Sequence, residues 1–448
     1  TLYHDNYKAF NNFVKEVDLS IDIAPSKVSM RDLSAFVPAF GKINDDISVE
    51  GIVCGRVSKL LISDLNVRYG ENTNIKGNII LTGLPLIKDL QFKANLNEIC
   101  TKPKDISEIA NIFSKKEIKL PKFLNSLGKI CYSGKIKGTV TDIEAFGSLS
   151  SDIGTIANNV TIKADDLGYN KFSINGNVAS KTLMLSKIFG KESGLGNASF
   201  KLDVDVNKKG NDLLLDAKGK IDSLVFRKYT YNNILINGKF ENKAFNGNIA
   251  LADKNAKVDF LGTIDFNKTK PAFLFQANVK DAQLYALHLT EAPNTTLSFE
   301  VETNFEGNTI DDLEGAFSID NIIFQKEKKS LLINNVSLTA NKSEDHIKTL
   351  KLYSDYINGT LKGKYLFTTL YGNLKHLASL YIPTLVKPED NLASEDRRNN
   401  FSFNFEIDNT EPINEVIPLP FNFMEQSQMS GFYNDSTNKV KLKIEAPQ

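Results

Sequence analysis

Four short segments follow one another near the middle of this chain: Asn232-Asn-Ile-Leu-Ile-Asn-Gly-Lys-Phe240, Ala244-Phe-Asn-Gly-Asn-Ile-Ala-Leu251, Ala256-Lys-Val-Asp-Phe-Leu-Gly-Thr-Ile-Asp-Phe266 and Ala272-Phe-Leu-Phe-Gln-Ala-Asn-Val279. Each segment alternates apolar and polar residues, and brief polar turns separate the segments. Because successive side chains of a strand point to opposite faces, this alternation predicts strands with one apolar face. Turns this short join antiparallel strands, so the region is predicted to be a run of β-hairpins.

The predicted apolar face consists of phenylalanine and branched aliphatic side chains. Asn, Lys, Asp and Thr occupy most positions on the opposite face. The candidate members of the apolar face, which we expect to line a groove, are Ile234, Ile236, Phe240, Phe245, Ile249, Val258, Phe260, Ile264, Phe266, Phe273 and Phe275.

Three glycines are predicted to bend this sheet. Folding the hairpins about their turns brings Gly238 near Gly247, and Gly247 near Gly262, so the glycines form a line across neighbouring strands. Glycine permits a sheet to bend sharply, and an aromatic ring such as that of Phe275 can cover a glycine on the next strand. We expect a crease with the apolar face inside. An ordinary β-sandwich, with the glycines at unrelated bulges, is the alternative.

The same pattern recurs along most of the chain, from residues 49–57 to residues 439–445. It predicts roughly 22 to 26 strands. We therefore expect an all-β fold with a few short helices, in which an elongated, curved antiparallel sheet forms an apolar groove. Three segments are expected: a β-groove segment with short helices at 1–128, continuous antiparallel β-groove repeats at 129–386, and a loop or linker followed by further strands at 387–448.

The predicted helices are few and short, and each has one apolar face. We expect them to cover parts of the core that would otherwise be exposed. They run from Ser29 to Phe36, from Asp105 to Phe113, from Leu183 to Phe189, and across Leu374, Leu377, Leu380 and Tyr381. The charged, proline-containing stretch from Lys387 to Asn400 is predicted to be a linker or loop.

The charge balance argues against a nucleic-acid partner. The 448 residues carry 54 basic and 54 acidic side chains, whereas phosphate binding requires a basic excess or patch. The sequence has no apolar run of about 18 residues, so no membrane-spanning helix is predicted. The chain begins in mid-pattern at Thr1, and we expect it to be an internal part of a longer protein.

Neither an enzyme nor a metal site is predicted. Cys54, Cys100 and Cys131 lack the spacing of zinc or redox motifs; one disulfide is an option, and buried free thiols are favoured. The four histidines are scattered singly, so we expect no metal and no cofactor.

An apolar groove of this depth suits a lipid acyl chain. A nine-residue strand is about 30 Å long, so a crease at its middle leaves two walls of about 15 Å. Burial stabilises by about 0.8 kcal/mol per CH₂, which amounts to roughly 12 kcal/mol for a 16-carbon chain before ordering costs. The headgroup would stay in water, so movement along the groove would require no chemistry.

Part of the chain resembles a known family. Residues 49–85, with Gly51, Gly55, the run Asn66-Val-Arg-Tyr-Gly70, Thr73, Gly77 and the run Gly83-Leu-Pro85, resemble the central region of the TamB proteins of Bacteroidetes-type bacteria. The segments at 31–38 and 213–289 are also similar to that family, which belongs to the AsmA-like superfamily.

The resemblance implies a β-taco fold in a periplasmic protein that an upstream segment outside this chain anchors to the inner membrane. Family members are implicated in carrying phospholipids to the outer membrane. With an outer-membrane barrel partner, which meets a C-terminal family region that this chain lacks, they are implicated in assembling outer-membrane proteins. The expected partners are phospholipid, the barrel and the inner membrane, with no nucleic acid.

Three functions compete at this point. The first is a periplasmic conduit that shelters acyl chains between the two membranes. The second is a scaffold or chaperone that offers sheet edges to nascent outer-membrane proteins by strand addition. The third is a glycan-binding or adhesive β-solenoid, which predicts a filled interior.

Overall fold

The computed structural model describes residues 1–4, 6–29, 31, 46–113, 122–165, 170–345, 347–381, 399–417 and 422–446. The helix predicted after Ser29 and nearly all of the predicted linker fall outside these ranges. The chain forms two compact units, Thr1–Asn242 and Lys243–Gln448, which are described separately. This division falls inside the segment predicted at 129–386, and the predicted segment boundaries stay predictions.

Unit one is an antiparallel sheet in which each strand pairs with its neighbours in sequence. Its strands are β1 (Leu2–Tyr3), β2 (Asp18–Ser29), β3 (Asp46–Arg56), β4 (Lys59–Tyr69), β5 (Thr73–Thr82), β6 (Gln91–Thr101), β7 (Ile130–Thr139), β8 (Asp142–Ser151), β9 (Gly154–Ala164), β10 (Lys171–Met184), β11 (Leu195–Lys209), β12 (Asp212–Phe226) and β13 (Tyr229–Glu241). Its α-helices are α1 (Phe13–Glu16), α2 (Pro103–Phe113) and α3 (Leu185–Phe189), and 3₁₀ turns lie at Tyr7–Asn12, Ile87–Asp89, Lys122–Leu127 and Lys191–Ser193.

Unit two is also an antiparallel sheet of sequential strands. Its strands are β14 (Ala244–Asp253), β15 (Ala256–Asp265), β16 (Ala272–Gln283), β17 (Thr295–Glu306), β18 (Glu314–Lys326), β19 (Lys329–Lys342), β20 (Lys348–Ser354), β21 (Ile357–Lys364), β22 (Asn400–Ile407), β23 (Ser427–Asn434) and β24 (Lys439–Glu445). Its helices are α4 (Phe367–Tyr381) and α5 (Glu411–Val416).

The predicted fold class is confirmed: the chain is mostly antiparallel β with few, short helices, and the sheet is curved. The β-sandwich alternative is wrong, because the described strands of each unit join a single sheet. Three of the predicted helices differ in their bounds. Helix α2 begins at Pro103, two residues before the predicted start at Asp105. Strand β10 continues through Met184, where Leu183 and Met184 pair with β11, so α3 begins only at Leu185. Helix α4 begins at Phe367, about two turns before Leu374.

Glycine and phenylalanine meet across the strands of unit two. Gly247 pairs with Gly262, which in turn pairs with Phe275 on β16. Gly262 has φ +148°, and a Cβ placed on it would lie 2.3 Å from the Leu274 carbonyl oxygen and 2.4 Å from the Phe275 Cα. Only glycine fits there. The same backbone approach recurs where Phe305 meets Gly315 and Phe401 meets Gly363. At Gly359 and Gly431 it is the rings of Phe405 and Phe403 that lie against the glycine.

A disulfide joins two adjacent strands of unit one. Cys100 on β6 lies directly opposite Cys131 on β7 and is bonded to it, with a Cα–Cα distance of 4.0 Å. The expectation that buried free thiols are favoured is therefore wrong for this pair, whereas Cys54 is free. Strand β6 pairs directly with β7, although the segment that carries α2 lies between them in sequence. The sheet of unit one is therefore continuous at this point.

The substitution Gly262→Ala tests the crease. We expect a loss of roughly 2 to 4 kcal/mol of stability, because the new methyl group would meet backbone atoms at a φ that alanine rarely adopts. The matched control is Gly210→Ala, at φ +62° in open space, which should cost only about 1 to 2 kcal/mol. Thermal unfolding followed by circular dichroism compares the two variants. Equal losses would contradict a tight packing role for Gly262.

Candidate functional site: an apolar sheet face

The strand register of unit two traces an unbroken apolar row from β14 to β24. Each of its members pairs directly with the next, and all lie on one face of the sheet. The row consists of Phe245, Ile264, Phe273, Phe305, Gly315, Ala340, Leu350, Leu361, Phe403, Gly431 and Leu442.

A second row runs beside the first on the same face. It passes through Gly247, Gly262, Phe275, Thr303, Phe317, Leu338, Leu352, Gly359, Phe405, Met429 and Ile444. Thr303 is its single polar member. The Thr303 hydroxyl is buried and donates to the carbonyl oxygens of Phe273 and Phe275, at 3.2 and 3.4 Å. With its donor satisfied by backbone, Thr303 presents little polarity to this face.

The candidate phenylalanines of unit two form two connected groups of rings. The centroid distances are 6.0 Å from Phe245 to Phe260 and 5.1 Å from Phe260 to Phe275. Phe273 stacks on Phe305 at 4.8 Å. Such distances are typical of favourable aromatic pairs. Ile249 and Val258 lie on the same face, and Phe266, just after β15, packs edge-on against Phe273 but is 52% exposed.

Unit one holds the four candidates of β13. Ile234, Ile236, Gly238 and Phe240 share one face, and Ile234 is buried. Gly238 ends a row of small and aliphatic residues that crosses ten strands. Pair by pair, the row consists of Ile62, Ile79, Ala94, Ile136, Ala145, Val160, Gly176, Val204, Ala217 and Gly238.

The apolar faces of both units are half-buried over most of their length. The side chains of Phe245, Phe260 and Phe275 are partly shielded by their neighbours within the sheet but remain accessible. A buried hydrophobic cluster with a helix over it occurs in unit two, where α4 lies against β21–β23. An apolar face that is accessible along successive strands can take up hydrocarbon from water.

The opposite face is less uniformly polar than the alternation predicted. Leu261 and Leu274 point to that side and are 61% and 57% exposed. A cleft of about 660 Å³ opens there between β14 and β18, and its lining includes Asp259, Glu300 and Asp320. With Glu302, four carboxylates line the cleft and would repel the phosphate of a phospholipid, so this cleft is a poor lipid site.

The sequence predicted that the helix across Leu377 covers part of the core, but it did not predict which strand residues complete the helix-covered cluster. This cluster consists of Leu361, Tyr365, Leu377, Phe401 and Tyr433, with Leu350, Phe367, Leu370 and Phe403 packed around it. Desolvation raises the pKa of Tyr365 from its ordinary value of 10.0 to about 12. The apolar stripe of α4 indicated that the helix packs against a sheet. It did not identify the strands, because they lie both before and after α4 in sequence.

One group of potential metal ligands lies within the described ranges. Ligand atoms of Glu98, Cys100 and Cys131 all fall within 4.8 Å of one another. Both sulfur atoms belong to the disulfide, and Asn74 donates a hydrogen bond to Glu98 at 3.1 Å. As long as the disulfide is intact, Glu98 is left as the one available metal ligand of the group.

Comparisons with protein-family models, curated proteins and solved structures gave no match. Across the described residues, no helix has both the length and the apolar character to cross a membrane. The apolar face itself is therefore the basis of the functional argument.

The high pKa of Tyr365 yields a prediction for alkaline pH. Since burial favours the neutral phenol, its stabilising contribution is complete below pH 10 and is lost as pH rises through about 12. Tyrosinate absorbance of the native chain minus that of Tyr365→Phe should titrate near pH 12. A difference curve centred near pH 10 would show that α4 does not shield this phenol.

Proposed function

We propose that this chain is part of a periplasmic, bridge-like conduit that shelters phospholipid acyl chains on its apolar sheet face between inner and outer membranes. The observation that carries the proposal is the row from Phe245 to Leu442, in which every register position from β14 to β24 is apolar.

Hydrocarbon binding explains why an accessible face would be so apolar. Each CH₂ removed from water stabilises by about 0.8 kcal/mol, and this gain needs no specific polar contacts. A lipid could therefore exchange one register position for the next at little cost. The formal net charge of zero suits a surface that leaves a zwitterionic or anionic headgroup in solvent. The resemblance to TamB proteins adds the periplasmic setting, the inner-membrane anchor and the outer-membrane barrel partner to this proposal.

The groove residues proposed to contact lipid in unit two are the half-buried ones. Phe260 and Phe275 lie in mid-strand, where a passing acyl chain would meet both rings at once. Gly247 and Gly262, which pair with each other on the same face, have no side chains and leave space beside these two rings. No catalytic residue, metal or cofactor enters the proposal.

Strand addition is the second candidate, and an edge strand favours it. Among the described residues β24 pairs with β23 alone, and all seven of its residues are exposed. An open edge can accept another strand. However, Lys439, Lys441 and Lys443 alternate along β24, and edge lysines are a common protection against such pairing.

Site-specific photo-crosslinking in cells tests the conduit. A photoreactive residue at Phe260 should yield phospholipid adducts, whereas the same probe at the adjacent Leu261, on the opposite and more exposed face, should yield far fewer. Asp259 and Asp265 provide further outward controls. Mass spectrometry identifies the adducts.

Adducts to proteins at Phe260 would favour the scaffold. Equal lipid labelling at Phe260 and Leu261 would contradict a specific role for the apolar face, and no adduct at any position would indicate a packed structural sheet.

A further inference from the structure

Helix α4 lies on the same apolar row that the proposed function uses. Leu350, Leu361 and Phe403 are consecutive members of that row on β20, β21 and β22. The apolar side chains of α4 that pack there are Phe367, Leu370 and Leu377. Over these strands, α4 therefore supplies the hydrocarbon contacts that a lipid would supply elsewhere.

The docked face of α4 is partly polar. Asn373 and Ser379 are buried among its apolar residues, and Gly372 lies in the helix interior. Glycine at such a position costs about 1 kcal/mol relative to alanine. Helix α4 thus gains less from packing than a helix with a wholly apolar face of equal length would gain.

A buried polar network holds α4 in place. The Asp435 side chain is 3% exposed, and Asn399 is fully buried. Asp435 Oδ2 accepts hydrogen bonds from Asn373 Nδ2 of α4 at 3.0 Å and from Asn399 Nδ2 at 2.8 Å. Asn399 Nδ2 also donates to Thr369 Oγ1 at 3.2 Å. We refer to these four residues, Thr369, Asn373, Asn399 and Asp435, as the latch.

The latch is incompletely satisfied. Asp435 Oδ1 is buried and has no hydrogen-bond partner among the residues that the structure describes. An unsatisfied buried carboxylate oxygen opposes the docked state, because undocking would return it to water. In the first turn of α4, next to the latch residue Thr369, Thr368 N donates to Asp311 Oδ1 at 3.3 Å, so the N-terminus has its own tether.

We infer that α4 covers a further acyl-chain subsite, formed by Leu350, Leu361, Phe401, Phe403 and Tyr433, and that release of the latch opens it. This inference rests on the proposed function, since the ligand is the hydrocarbon chain of the same phospholipid. The Asp311 tether would keep the N-terminus of α4 attached while the rest of the helix, from Asn373 onward, moves off the sheet. Docked α4 then interrupts the lipid path in unit two, and undocked α4 restores it.

The test uses the purified full chain with vesicles of phosphatidylethanolamine and phosphatidylglycerol that contain a phospholipid with a photoreactive acyl chain. Labelled peptides are mapped by mass spectrometry, and hydrogen exchange reports on α4. The latch variants are Asp435→Ala and the milder Asn373→Ala, which removes the Nδ2 donor on the helix and leaves Asp435 in place. Asp259→Ala, an exposed carboxylate on the opposite face, is the matched control.

In the native chain we expect labelling of β15 and β16 and little labelling of β21 and β22. Loss of hydrogen bonds to a buried charge should shift the docking equilibrium roughly tenfold. Asp435→Ala should therefore raise the labelling of β21 and β22 several-fold and speed exchange in α4, with β15 and β16 unchanged. Asp259→Ala should behave as the native chain.

Two results would overturn the subsite while leaving the proposed function intact: strong labelling of β21 and β22 in the native chain, or no gain in labelling when exchange shows α4 released. If Asp435→Ala also speeds hydrogen exchange in β20–β23, the substitution has disturbed the sheet itself. The labelling of Asn373→Ala then decides whether the subsite exists. An absence of labelling at β15 and β16 in every variant would overturn the proposed function and the subsite together.

Discussion

A phenylalanine beside a glycine on the neighbouring strand is the contact on which the apolar face depends. At Gly262 the space for a Cβ is already occupied by the backbone of Phe275, so the two strands approach more closely there than side chains would permit. Phe305 with Gly315 and Phe401 with Gly363 repeat the arrangement. Each pair places a large ring next to a position with no side chain, which lets the sheet bend while its apolar surface stays continuous.

This constraint explains how one face can be apolar and accessible at once. In a sandwich a second sheet buries the apolar face, and its side chains become core. Here the described strands of each unit form a single sheet, and rings such as those of Phe245, Phe260 and Phe275 shield one another only in part. The exception lies under α4, where a helix and a buried hydrogen-bond network take the place of solvent.

Much of the sheet could be predicted from the sequence because strand alternation and turn length are local properties. They predicted the shared face of the candidates on β14–β16 and the approach of Gly262 to Phe275, both of which the strand register shows. The Cys100–Cys131 bond was not predictable, because an excursion carrying α2 separates the two strands and nothing local sets their register. The latch depends on Asn373, Asn399 and Asp435, which only the folded chain brings together. Leu261 and Leu274 depart from the alternation because they place apolar side chains on the polar face. The predicted strands form nevertheless, since a strand tolerates single exposed leucines.

The most direct test of the central claim is to purify the chain without detergent from cells that have a diderm envelope and to measure its bound phospholipid by native mass spectrometry. An apolar face that binds acyl chains predicts that phospholipids co-purify and leave when solvent extraction competes for the hydrocarbon. A chain that carries no phospholipid, and takes up none from added vesicles, would contradict the account.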